Sequence, residues 1–267
     1  FEFILAIFCF YIFLSHIFTT NNPFINLNIF LNKNYFLGLL IMFLFGTILW
    51  TPLIIYPPMM QDLQNYPEDL TGIFLALRGL GTLCGSTLLV FINKKLDPRF
   101  ILSVGFLLQG IAGFYMSHFD INLSAFELAW TNSLAGLGVG FVWVPLTLIT
   151  FNTLDKKFLN EASAFWHLIR NIGSSISISI TIALVIRSTA INYADLSSFI
   201  SIFGDSTSVM PLKGTTAPSG VESLSGISKE IVRQSEMIGY INAFHLYYWI
   251  AFSIIPLVWL APLKPQN

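Results

Sequence analysis

EASAFWHLIRNIGSSISISITIALVI, residues 161–186, is apolar and long enough to cross a bilayer, yet carries an arginine well inside it. A crossing takes about 20 residues. Arg170 lies roughly 12 Å in from Ala162 at about 1.5 Å per residue, where a charge is costly unless it faces protein or water. Ser163, His167, Arg170, Ser174, Ser177 and Thr181 follow at spacings of four and three, so they share one helical face. A polar stripe of this kind points into a bundle or an aqueous cavity rather than into lipid. Small and hydroxyl residues also build hydrogen-bonded seams between helices; the arginine favours a functional cavity or gate.

The rest of the chain has the same character. Of 267 residues 55% are hydrophobic and 10% charged, with a mean hydropathy of +0.72; a soluble domain carries about 25% charged residues. This is the composition of an integral membrane protein, and a net charge of −1 excludes a basic nucleic-acid footprint. Seven apolar spans stand out, at about 1–18, 36–60, 71–93, 99–117, 125–151, 163–187 and 240–262. Each reads as helix, because a lipid-exposed span must satisfy its own backbone hydrogen bonds; the short alternating segments of a β-barrel are absent. Phe1 opens directly into the first span without an initiator Met or a signal-peptide pattern, so the chain reads as the C-terminal piece of a longer protein. Cys9 and Cys84 lie in apolar segments, offer neither a disulfide framework nor metal-ligand spacing, and read as buried free thiols. Metal, cofactor and enzyme motifs are likewise missing: no His-Glu-x-x-His, phosphate-binding glycine loop or nucleophile elbow occurs.

The charges between spans predict orientation. Lys33, then Lys94, Lys95 and Arg99, then Lys156 and Lys157, with Lys264 in the tail, fall on one side. Asp62, Glu68, Asp69 and Asp120 occupy the opposite short loops, which contain no Lys or Arg. The positive-inside rule places the lysine set and the C-terminus in the cytoplasm of a cell inner (plasma) membrane. Residues 1–18 are then a preceding helix, 19–35 a cytoplasmic connector and 36–187 five spans. A long Ser-, Gly- and Thr-rich outer loop, 188–239, leads to a last span and cytoplasmic tail at 240–267. Within that loop Ile227, Ile231 and Ile238 suggest a short amphipathic helix over 221–241, and in the connector Phe24, Leu27, Phe30 and Leu31 suggest an interfacial one, a plain extended loop being the alternative.

Six spans divide as three plus three, and an odd triplet enters the second time inverted, as in many transporters. Arg78 and Arg170 each sit in the second span of a triplet, toward opposite membrane faces, as an inverted repeat requires. Arg78 shares a side with Thr82 and Ser86, and either pairs with a carboxylate or carbonyl or snorkels to the interface. Gly79, Gly81 and Gly85, and the Gly136/Gly140 pair, have spacings for close helix packing. Pro145 predicts a kink. Asn132 and Trp130 are candidate cavity residues on that helix, with Asn171 beside Arg170. Glu127 reads as a solvated interfacial acid, and His167 as either a packing residue or a proton relay.

Taken together, NLNIFLNKNYFLG (26–38), PPMMQDLQNY (57–66), LTGIFLALRGLGTL (70–83), KKLDPR (94–99) and especially GLGVGFVWVPLTLITFNTLDKKFLNEASAFWHLIRNIGSSI (136–176) resemble the C-terminal half of fourteen-helix drug:proton antiporters of the major facilitator superfamily, the EmrB/QacA type. The likeness covers roughly residues 22–262. It implies an all-α integral membrane protein, the C-terminal six-helix bundle (an inverted 3+3 repeat) of a major facilitator fold plus one preceding helix. It also implies proton-coupled multidrug efflux by alternating access, with lipophilic substrates and an N-terminal half that holds the proton-coupling acids. A periplasmic adaptor and an outer-membrane channel are the implied partners. Export of a siderophore or other metabolite on the same fold, or a non-transporting truncated fragment, are the alternatives. The superfamily's cytoplasmic loop signature is degenerate here: Val90 and Lys94 replace its Gly and first acid, while Asp97 and Arg99 keep its character. The candidate cavity or gating residues are thus Arg78, Thr82, Asn132, Ser163, His167, Arg170, Asn171 and Ser174, with Asp97 and Arg99 in the loop.

Overall fold

The computed structural model describes residues 27–92, 96–198 and 220–261, together with scattered helical positions between 4 and 15. The span expected over 1–18 falls largely outside them, as do Phe24, Lys94, Lys95 and Lys264. Six helices follow: α1 Lys33–Pro58, α2 Glu68–Ile92, α3 Pro98–Met116, α4 Ala125–Phe151, α5 Leu159–Ser198 and α6 Gly220–Trp259. All six are long and apolar enough to cross a membrane.

Local chemistry sets the helix ends. Asn32 caps α1 by accepting from the Asn34 and Tyr35 amides at 3.1 and 3.3 Å, and its amide nitrogen donates to the Thr153 carbonyl at the end of α4. Asp97 accepts from the Arg99 amide at the start of α3, with Pro98 at the first helical position. Ser124 and Glu127 form a reciprocal capping box on α4. Pro57 and Pro58 at the end of α1 remove two backbone donors, and the chain relaxes into a π-helical turn over Met59–Leu63 before Asn65 reverses it at φ 55°. A short-side-chain amide tolerates that left-handed geometry better than most residues.

The packing follows an inverted triplet. The most extensive contacts are α2 with α4, then α3 with α4, then α1 with α5; the first and the last of these set the second helix of one triplet against the first helix of the other. The two third helices, α3 and α6, pack on each other, as do the two first helices, α1 and α4. The basic positions Lys33, Arg99, Lys156 and Lys157 sit at one set of helix ends, and Asp62, Glu68, Asp69 and Asp120 at the other.

Three expectations change. The connection expected as a loop over 188–239 is helical over 188–198 and 220–239, so α5 and α6 are each 40 residues long. At about 1.5 Å per residue that is near 60 Å, roughly twice a bilayer core of about 30 Å. The isoleucine-spaced segment over 221–241 is the first half of α6. In the connector, the residues expected on one apolar face separate: a 3₁₀ turn over Leu27–Leu31 turns Phe30 inward onto Phe165, centroids 4.9 Å apart, and leaves Leu31 80% exposed. Both cysteines are free but exposed on this bundle rather than buried.

Glycines decide how closely the paired helices approach. A Cβ on Gly136 would collide with the Arg78 carbonyl, and one on Gly140 would lie 2.6 Å from the Thr82 carbonyl. Gly81 and Gly85 present the complementary bare surface to the Ser133 and Leu137 carbonyls. Gly79 departs from its expected packing role: nothing lies within 4 Å of its Cβ position. Gly136→Val is therefore expected to cost about 1–3 kcal/mol by overpacking and to lower the melting temperature of the purified protein. Gly79→Ala should leave it unchanged or raise it, by up to about 1 kcal/mol of helix propensity.

Candidate functional site

The α2–α4 and α1–α5 crossings have the same construction. Arg78, Gly81, Thr82 and Gly85 on α2 correspond to Arg170, Gly173, Ser174 and Ser177 on α5 at a constant offset of 92 (78 to 170, 81 to 173, 82 to 174, 85 to 177). Their partners on the first helices correspond at an offset of 90 (43 to 133, 46 to 136, 47 to 137). Gly136 abuts the carbonyl of Arg78, and Gly46 that of Arg170. Gly81 abuts the carbonyl of Ser133, and Gly173 that of Phe43. The Thr82 hydroxyl donates to the Gly136 carbonyl at 3.1 Å, and the Ser174 hydroxyl to the Gly46 carbonyl at 3.3 Å. Each also bonds back to the carbonyl of its own arginine, at 3.0 and 2.8 Å. At the next turn the Ser177 hydroxyl donates to the Thr47 carbonyl at 2.7 Å, where the opposite crossing sets Gly85 against the carbonyl of Leu137.

This geometry divides the polar stripe of α5. Ser174, Ser177 and Thr181 are buried in the seam with α1. Their hydroxyls take partners within the bundle at Ser174 and Ser177, whereas Thr181 has none. Arg170 and Ser163 are half-buried, and His167 and Asn171 are exposed. The Arg170 guanidinium donates to the Asn171 side-chain oxygen at 3.1 and 3.3 Å and lies over the Trp143 ring, 5.6 Å from its centroid. His167 stacks edge-on with Trp166, 5.1 Å between centroids.

Arg78 is in a different state. It is 4% exposed; one terminal nitrogen donates to the Leu49 carbonyl of α1 at 3.0 Å and the other has no partner. Tyr56 shares a 3.1 Å hydrogen bond with Thr131, and the Tyr247 hydroxyl donates to Gln109 at 2.8 Å. Asn132, one turn before Gly136, is fully buried with both amide atoms unpartnered, and the Gln109 amide nitrogen is unpartnered as well. Among the described residues neither arginine has a carboxylate within ion-pair distance.

The remaining candidates have local roles. Asp97 caps α3, and the Arg99 guanidinium donates to the Ala261 carbonyl at the end of α6, so the loop pair ties two helix ends together. Glu127 is held in its capping box on the exposed end of α4. Trp130 packs edge-on against Tyr115. A shallow groove of about 470 Å³ between α5 and α6, lined by Val185, Thr189, Tyr193, Val232, Glu236 and Tyr240, contains none of the candidate residues.

Residues 3–178 match the family model of the Major Facilitator Superfamily. The chain belongs to this superfamily. Its relatives include the "Multidrug export protein EmrB" of Escherichia coli K12, 23% identical over 245 residues, covering 91% of this chain and 48% of that protein. The "Probable multidrug resistance protein EmrY" of the same organism is 27% identical over 250 residues with the same coverage. The "Fatty acid resistance protein FarB" of Neisseria gonorrhoeae is 22% identical over 242 residues, 90% of this chain and 47% of that protein. The chain spans about half the length of the curated relatives it matches and is similar to the C-terminal half of an EmrB-type transporter. The family places it among multi-pass membrane transporters rather than enzymes.

Reading by span found both arginines but missed the full correspondence. The signal was present as Arg-x-x-Gly-[Thr/Ser]-x-x-[Gly/Ser], once in each second helix. Gln109 and Tyr247 gave no such signal, because their neighbours come from distant helices. The buried amide of Asn132 yields a test. Asn132→Leu removes two unsatisfied polar atoms, each costing about 1–3 kcal/mol. It is expected to raise the melting temperature of the purified protein.

Proposed function

We propose that the chain is the C-terminal half of a secondary exporter that moves small lipophilic compounds outward by alternating access, driven by proton entry. The observation that carries this reading is the matched pair of arginine-bearing crossings at opposite depths of an inverted bundle. Arg78 lies ten residues, about 15 Å, from the start of α2, and Arg170 eleven residues, about 16 Å, from the start of α5 at the other end. An inverted pair of this kind gives the two membrane faces equivalent machinery, which is what alternating access requires. The names of EmrB and EmrY, which speak of multidrug export and resistance, support the cargo class.

In this reading the basic helix ends lie in the cytoplasm of the inner membrane, together with the C-terminus. An N-terminal half covers Arg170, Asn171 and His167 and completes the cavity and the proton pathway. The extensions of α5 and α6 reach beyond the outer interface and are positioned to meet a periplasmic adaptor that leads to an outer-membrane channel. FarB, named for fatty acid resistance, favours a second cargo: an amphiphilic metabolite on the same scaffold.

The test is efflux of a lipophilic fluorescent dye from cells carrying the intact transporter, with and without a protonophore. The wild type is expected to export the dye in a protonophore-sensitive manner. Arg170→Ala should reduce that rate about tenfold at equal membrane abundance, the weight of roughly one charge-assisted hydrogen bond. Full export by the variant would remove Arg170 from the transport cycle. Absence of export by the wild type, for both dyes and fatty acids, would support a non-transporting fragment.

A further inference from the structure

The two crossings match in backbone and hydroxyl contacts but differ at their arginines. Arg78 crosses from α2 to the Leu49 carbonyl of α1. The offsets of 92 and 90 carry Arg78 to Arg170 and Leu49 to Val139, so the counterpart of this bond is Arg170 with the carbonyl of Val139 on α4. That contact is not made. Arg170 rests instead on Trp143, one helical turn along α4 from Val139, and bonds to its own neighbour Asn171. Val139 is itself 8% exposed, at the buried side of α4. One guanidinium is docked and buried; its equivalent is half-exposed beside the vacant counterpart position.

A carbonyl has a second lone pair, so one already used within a helix can accept a further donor, as that of Leu49 does. Prolines follow both acceptors within two turns: Pro52 after Leu49 and Pro145 after Val139. A missing backbone donor and the ring's clash loosen the helix locally and let it bend. The buried side of each arginine therefore has a carbonyl acceptor on a helix able to adjust.

We propose that Arg78 and Arg170 are reciprocal latches of the transport cycle. In the conformation described here Arg78 holds α2 to α1 through Leu49 while Arg170 is undocked. In the opposite conformation Arg78 releases Leu49, and Arg170 leaves Trp143 to dock on the carbonyl of Val139. The exchange conserves one buried guanidinium–carbonyl bond, so neither state pays for two stranded charges in the bundle. It also couples the membrane faces within a single half of the protein. The inference rests on the transporter reading above and adds the contact that distinguishes the two states.

The test is hydrogen exchange of the intact transporter in lipid nanodiscs, read without substrate on residues 72–82 of α2 and 166–174 of α5. Loss of one charge-assisted bond shifts the balance between states by about tenfold or more. Arg78→Ala is expected to speed exchange over 72–82 and slow it over 166–174. Arg170→Ala should do the opposite, and Arg170→Lys, which keeps a donor, should return both segments toward wild type. Changes confined to the substituted arginine's own segment would overturn the proposal. If Arg78→Ala fails to insert, Arg170→Ala decides alone: slower exchange over 72–82 supports the latch, and unchanged exchange there defeats it. Because the readout needs no cargo, a transporter that exports dye without this reciprocity rejects the latch and leaves the export reading intact.

Discussion

Backbone contact between helices is the constraint on which this structure depends. In lipid there is no hydrophobic force to drive helices together, so close packing and interhelical hydrogen bonds hold them. Gly81 and Gly85 against Gly136 and Gly140, and Gly46 against Gly173, bring main chains near enough for hydroxyls to cross from one helix to the carbonyls of the next. Larger residues at these positions would lift the helices apart and remove the interhelical acceptors of Thr82, Ser174 and Ser177, leaving Thr82 and Ser174 only carbonyls of their own helices. The same proximity sets the arginines beside the first helices of both triplets.

Placing a guanidinium within the bundle carries a desolvation cost that only acceptors offset. Arg78 meets it with one carbonyl and keeps a nitrogen unpaired. Asn132 and Gln109 also keep buried polar atoms without partners. Native interiors contain few such atoms; others lie on α5 at Trp166, Thr181 and Thr189. The crossing of α5 with α1 shows the other solution: its buried polar groups are mostly hydroxyls answered by carbonyls, while Arg170 stays half-exposed on an aromatic face.

Most of the fold was legible in the sequence, because lipid imposes length and apolarity on each helix separately. The five spans expected from residue 36 to 187 all appear, and the bounds of α4 agree with expectation. The inverted arrangement was legible from charge alternation and the two arginines. Glycine spacing identified the α4 contact surface, but it did not separate Gly81 and Gly85 from Gly79, which points away from the crossing. Helical periodicity gave the stripe on α5 a single face. It could not show that the face is divided along its length, since Ser174 and Ser177 meet α1 where Ser163 and His167 do not.

Composition, span length and charge alternation determined by themselves that this is an all-helical membrane protein with an inverted six-helix core, since each rests on the solvent a segment must tolerate. Tertiary structure decided which small residues touch, which arginine is docked, and that α5 and α6 continue as helices well past a bilayer's thickness. Those outcomes depend on the partner that each helix meets, and the partners of Gly136, Arg78 and Ser177 lie 29 or more residues away in the chain. Separations of that size leave no local pattern, and only the assembled bundle brings the pairs together.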